Sequence, residues 1–169
     1  MGDNPERSSQ ALGIRFRELL PCEFDKYIEF DAPISWEFVN EDLRRELSYE
    51  EYRRIHREIV SDILESNLDN RIFVAVSDEN EIIGLAWVGL RMDTVNYVPI
   101  AYLYDIEVKK EFRGFGVGSK LLELVEEACK GWGAYGVMLS VSRRNRAALT
   151  WYTRNGYSVD RLILFKKMR

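Results

Sequence analysis

Asp105-Ile106-Glu107-Val108-Lys109-Lys110-Glu111-Phe112-Arg113-Gly114-Phe115-Gly116-Val117-Gly118-Ser119 is the stretch that decides the fold. It passes from an alternating, β-branched strand through a short polar turn into a glycine-rich loop, and then into a helix. Gly114, Gly116 and Gly118 stand at alternate positions and let the backbone turn its N–H groups inward as a concave anion nest. The helix behind them adds its unpaired first-turn N–H groups and its positive dipole end. A pyrophosphate suits such a nest; the bland alternative is a tight strand-to-helix turn with no ligand. A P-loop needs Gly-Lys followed by Ser or Thr, and the order here is Gly118-Ser119-Lys120. A dinucleotide fingerprint needs an acidic ribose partner about 20 residues on, where Ser142-Arg143-Arg144 stands instead, and too little chain follows for the missing strands.

Working outward, Pro99 to Val108 reads as a strand. Tyr102, Tyr104, Ile106 and Val108 are expected on one face and Leu103, Asp105 and Glu107 on the other. The helix after the loop presents Val117, Leu121, Leu124, Val125 and Ala128, and Gly131 and Gly133 stop it. Val137 to Ser142 is a further strand, Asn145 to Asn155 a helix, and Leu162 to Met168 a last strand. Upstream, Ile14 to Leu19 alternates as a first strand, and two helical stretches follow. In the second, Ser48 and Glu51 form a capping box, and Tyr52, Ile55, Ile59 and Ile63 make an apolar face. His56 sits beside that face and reads as a partly covered packing residue. Arg71–Ser77 and Glu81–Met92 flank the turn Asp78-Glu79-Asn80 as a β-hairpin. Residues 1–13 read as a flexible leader and 14–169 as one domain. The class is α/β (α+β): a mixed, twisted sheet of about six to seven strands with helices on both faces.

With 169 residues, 46% apolar and 31% charged, the composition is that of a soluble globular protein. A net charge of −4 gives no general affinity for nucleic acid. No stretch approaches a membrane span or a secretory signal, so no membrane partner is expected. Cys22 and Cys129 make no disulfide framework, which points to a cytoplasmic location, and no spaced Cys/His set suggests a metal. The only histidine is His56.

Arg113-Gly114-Phe115-Gly116-Val117-Gly118 resembles the R/Q-x-x-G-x-G/A loop of the GCN5-related N-acetyltransferases (GNAT). Leu103-Tyr104-Asp105-Ile106-Glu107-Val108 is similar to that family's bent fourth strand. Asn145, Ala148, Tyr152 and Gly156-Tyr157 follow its next motif, N-x-x-A-x-x-x-Y-x-x-x-G-F/Y. The resemblance runs from about residue 72 to 168, and it implies acetyl transfer from acetyl-CoA to a primary amine through a ternary complex, with no metal. Arg113, Gly114, Phe115, Gly116, Val117, Gly118 and Ser119 would hold the pyrophosphate. Backbone groups of Ile106 and Val108 would pair with the pantetheine arm, and an N–H near them would receive the oxyanion. Asn145 would bind pantetheine, cap its helix, or do both. Tyr152 would protonate the departing thiolate; otherwise it is a core tyrosine.

The base is less determined. Some family members carry a glutamate near the start of the fourth strand, and Ile100 occupies the aligned position. Asp105 and Glu107 are the candidates, directly or through a water, against a reading as ordinary sheet-face carboxylates. Deprotonating an α-amine at neutral pH costs about 1.2 kcal/mol and a lysine amine about 4.6, so a chain without a base would favour the former. Trp36, Phe38 and Tyr49 are candidate walls of the acceptor groove. The resemblance, together with the frequency of symmetric dimers, makes a homodimer the assembly to expect. Two rivals stand: a non-catalytic acyl-CoA sensor, and a transferase of a longer acyl chain.

Overall fold

The computed structural model describes residues 13–168. The expected leader lies outside them, save Gly13. The described residues fall into two compact units divided after Leu139.

The first unit is built on a five-stranded mixed sheet. Its strands are β1 (Arg15–Glu18), β2 (Asp69–Val76), β3 (Ile82–Met92), β4 (Pro99–Val108) and β5 (Val137–Leu139), in that spatial order. The first four are antiparallel in succession, and β5 runs parallel to β4. The helices of this unit are α1 (Phe24–Phe38), the short α2 (Glu41–Arg44), α3 (Tyr49–Ser66) and α4 (Val117–Gly131).

Local sequence explains these elements. The β2–β3 hairpin turns at Asn80, whose φ of 63° lies in the left-handed region that Asn tolerates. Asn80 N donates to Ser77 O at 2.9 Å, and Ser77 N donates to Glu81 O at 2.9 Å. The expected capping box starts α3: Ser48 N donates to Glu51 Oε2 at 3.0 Å and Glu51 N to Ser48 Oγ at 3.3 Å. The inward stripe of α3 differs from the expected one. Val60 is buried, with Tyr52, Ile63 and Leu64 packed on the core, whereas Ile59 is 52% exposed. A stripe through Tyr52, Val60 and Leu64 carries His56 inward, since residues four apart share a helical face.

One face of the sheet packs on α1 and α3 through Tyr27, Ile28, Ala32, Val60, Val74, Val76, Leu85 and Trp87. Each such aliphatic side chain contributes roughly 1.5–3 kcal/mol by leaving water. The other face receives α4, whose Val117, Leu121, Leu122 and Val125 are buried. Close packing there explains Gly84: a Cβ would stand 3.0 Å from the Glu107 carbonyl and 3.3 Å from Leu121 Cδ1. Helices thus cover both faces, as expected.

In the second unit, α5 (Arg146–Arg154) starts at Asn145, whose Oδ1 accepts from Ala148 N at 3.1 Å. Two expectations are corrected. The sheet has five strands among the described residues rather than six to seven, and β5 is three residues long. Leu162 to Met168 forms no strand: its side chains are exposed, Leu164 by 91%, and alternating apolar residues make a strand only where a ladder partner takes their backbone groups.

Candidate active site

The site grows from an irregularity in β4. Leu103 pairs with Val88 and Asp105 with Trp87, so Tyr104 is the extra residue of a β-bulge. A bulged residue resets the alternation of faces. Cross-strand partners share a face, so Asp105 lies with Trp87 and Glu107 with Leu85, on the side of α1 and α3. Tyr104 lies there too, stacked on the Trp87 ring at 4.3 Å. The expected grouping of Asp105 and Glu107 with Leu103, opposite Tyr104, is therefore reversed. Ile106 and Val108, paired with Ala86 and Gly84, fall on the α4 side with Leu103.

The bulge delivers two carboxylates into a polar cluster under the helices. Asp31 of α1 is buried without exposure, and the carboxylate oxygens of Asp31, Asp105 and Glu107 lie within 4.8 Å of one another. His56 of α3 brings Nε2 to 2.6 Å from Asp31 Oδ2, a contact that becomes an ion pair when the imidazole is protonated; among the described residues neither atom has a hydrogen-bond partner. Ser35 Oγ donates to Asp31 Oδ1 at 3.3 Å, and the Tyr27 hydroxyl donates to Asp105 Oδ2 at 2.9 Å. Like charges at such separations repel by roughly 3 kcal/mol per pair at an effective dielectric near 20, so three ionised carboxylates do not coexist here.

The protonation pattern follows. Burial, then the charge of Asp31, pushes Asp105 up to about 7, against the opposing pull of the Tyr27 hydrogen bond and of His56. Burial, then the charges of Asp31 and Asp105 and the nearness of the Asp31 carboxyl, pushes Glu107 up to about 9, with Arg113 opposing. Near neutral pH Glu107 thus keeps its proton, while Asp105 is poised between its two forms. Tyr27 is driven well above the usual tyrosine range, first by burial, and remains a donor. Burial likewise pushes Tyr52 up to about 12.

The loop after β4 has the backbone that its glycines imply. Gly114 and Gly116 take φ of 85° and 82°, in the left-handed region. Gly116 is the N-cap of α4, and the helical ladder begins with Lys120 N donating to Gly116 O at 3.0 Å. The amides of Val117, Gly118 and Ser119 precede that ladder, as first-turn amides do. Arg113 Nε donates to Val108 O at 2.9 Å, which ties the loop to the strand end. Phe115 is exposed.

In the second unit, Tyr152 packs edgewise against Trp151 at 5.0 Å and Tyr157 at 5.5 Å. The profile of the acetyltransferase (GNAT) family matches residues 36–157, which take in the bulged strand, the loop and α5.

The chain belongs to the GNAT family.

A putative acetyl transferase from Pyrococcus furiosus superposes on this GNAT chain with a TM-score of 0.83 and 37% identity, over 92% of this chain and 99% of that one. The Bacillus subtilis protein YxbD is 32% identical over 95 residues, 53% of this chain and 51% of its own length. The chain thus spans about half the length of that curated relative. The aminoglycoside N-acetyltransferase AAC(6')-Iy, solved in complex with CoA, shares the fold at a TM-score of 0.69 and 19% identity, over 92% of this chain and 95% of that one.

Within this GNAT chain, the cofactor residues expected from Ile106 to Ser119 are brought together along one strand end, loop and helix start. Asp105 and Glu107 are neighbours, opposite Ile106 and Val108 as expected but on the face of Tyr104 rather than that of Leu103. Asn145 caps α5 as expected. Ile100 is buried. Trp36 packs on Tyr49 at 5.9 Å and on Tyr52 at 4.9 Å, and Phe38 is exposed. Sequence reasoning missed Tyr27, Asp31 and the inward role of His56. A signal was present: Asp31 sits among Tyr27, Ile28 and Ala32 on the apolar stripe of α1, where a carboxylate is out of place.

Proposed function

We propose that this GNAT chain transfers an acetyl group from acetyl-CoA to a primary amine through a ternary complex, the acceptor being a small metabolite, a peptide N-terminus or a lysine. The observation that carries the reading is the loop in which Gly114 and Gly116 adopt left-handed backbone conformations ahead of the first amides of α4. A cradle of this kind suits a pyrophosphate. That a family neighbour is solved with CoA supports the choice of cosubstrate.

In this reading Arg113 to Ser119 hold the pyrophosphate. Backbone groups of Ile106 and Val108, and Asn145, hold the pantetheine arm. The acceptor ammonium gives its proton to the Asp105–Glu107 pair. Asp105 is the better acceptor near neutral pH, because a general base works best when its pKa lies near the working pH. The amine nitrogen then attacks the thioester carbon, and the carbonyl electrons move to oxygen. An N–H near Ile106 to Val108 stabilises that oxyanion. The C–S bond breaks, the amide forms, and the thiolate takes a proton from the Tyr152 hydroxyl, which is restored from solvent.

The test is release of free CoA thiol from acetyl-CoA across polyamines, aminoglycosides, amino acids and N-terminal peptides, with product masses. Thiol release with a matching acetylated amine is expected. Acetyl-CoA binding without release across the panel would favour the sensor, and preference for longer acyl-CoAs would favour the other rival.

A further inference from the structure

We propose that Asp31 and His56 are positioning residues for proton acceptance: in contact with each other and held by two helices against the β4 carboxylates, they set the pH at which the Asp105–Glu107 pair takes the proton of the acceptor amine. This deepens the acetyltransfer reading and rests on it.

The geometry makes the pair more than packing. Asp31 has no exposure, and a buried carboxylate persists only with compensating partners. His56 supplies one at 2.6 Å while its own side chain is 14% exposed. The same Asp31 carboxylate is the third member of the cluster whose oxygens lie within 4.8 Å, so its charge acts directly on Asp105 and Glu107. The ionisable groups facing the cluster are Tyr27 and Asp31 from α1, Tyr52 and His56 from α3, Asp105 and Glu107 from β4, and Arg113 from the loop. From β2 and β3, Val74, Val76, Leu85 and Trp87 close the core beside it.

The two members act in opposite senses. Asp31 raises the proton affinity of both β4 carboxylates, and His56 lowers that of Asp105. Removing the imidazole takes away an influence that lowers the proton affinity of Asp105, so the base holds its proton to higher pH. Neutralising Asp31 relieves repulsion, so the base is free at lower pH. Loss of packing alone would not separate the two variants in this way.

The experiment measures kcat/KM against pH for the full chain, its His56→Gln variant and its Asp31→Asn variant, with melting curves. The ascending limb reports the base losing its proton. It is expected to move up by about one pH unit in His56→Gln and down by about one in Asp31→Asn. The plateau is expected to stay within about threefold of the parent. Movement of both limbs in one direction, or a lowered plateau with an unmoved limb, overturns the proposal.

A second measurement needs no turnover. His56 is the only histidine, so its ring resonances report this pair alone. On titration the parent is expected to show an added inflection from Asp105, lost in Asp105→Asn; identical curves overturn the proposal. If no amine elicits thiol release, the acetyltransfer reading fails, and the ring titration alone decides the role of Asp31 and His56.

Discussion

The Tyr27 hydroxyl donates to Oδ2 of Asp105 at 2.9 Å, across 78 positions of sequence, and so ties α1 to the bulge of β4. The Tyr27 ring is itself wedged edge-on against Trp87 and stacked on Phe24, each at 6.1 Å. The hydroxyl, more than the ring, is what reaches the chemistry.

Tyr27→Phe keeps those ring contacts and deletes one donor to a buried carboxyl. A loss of roughly 1–3 kcal/mol in urea denaturation is expected. The Tyr27 hydrogen bond opposes the upward shift of Asp105, so its removal also moves the ascending limb of kcat/KM to higher pH. A pH profile and a denaturation curve on the same variant check both.

Stability should decline on the alkaline side. Asp105 and Glu107 bind protons more tightly in the folded chain, about 7 against 3.8 and about 9 against 4.5. Their contribution is therefore complete below the unfolded values and is lost as pH rises through the folded ones. Glu107→Gln mimics the protonated acid and cannot ionise. Chemical denaturation across mildly acidic to alkaline pH should show a flatter decline in this variant and a gain over the parent above about 9.

Gly116 and Gly118 should fail differently. Gly116 has a φ of 82°, so Gly116→Ala costs about 1–2 kcal/mol of backbone strain as well as CoA affinity. Gly118 lies within α4, so Gly118→Val should fold yet lose CoA binding, because in the proposed function its side chain would enter the cradle. Under the proposed function Arg113→Ala should be milder, since the backbone N–H groups would supply most of the cradle. Calorimetry with CoA decides; unchanged affinity in folded Gly118→Val would sink the assignment of the nest.

Tyr152→Phe should leave acetyl-CoA affinity within about threefold and lower kcat at least about tenfold, because a positioned acid typically contributes 10²–10⁴-fold. Its ring contacts with Trp151 and Tyr157 survive the change. Thiol-release rates beside calorimetry and a melt separate the outcomes. An intact kcat makes Tyr152 a packing residue, and lost affinity alone makes it a cofactor contact.

Much of the fold was legible because its signals are local. The glycine spacing from Gly114 to Gly118, the Ser48–Glu51 box, the Asn80 turn and the Asn145 cap each depend on a few neighbouring residues. The inward stripe of α3 was less so. Ile59 and Val60 are adjacent and equally apolar, and only the packing partner decides which one turns to the core. Leu162 to Met168 has strand composition, but a strand is a paired object and composition names no partner.

The sequence by itself determined the order of the main elements up to α5, the glycine-rich loop and the family pattern, since these rest on short-range backbone preferences. The tertiary structure alone decided the face of the two β4 carboxylates and the company they keep. One extra residue at Tyr104 reverses the alternation that a sequence pattern assumes, and Asp31 and His56 reach the cluster from helices far away in the chain. Proton affinity in that cluster follows from burial and mutual charge, which exist only once the chain has closed over them.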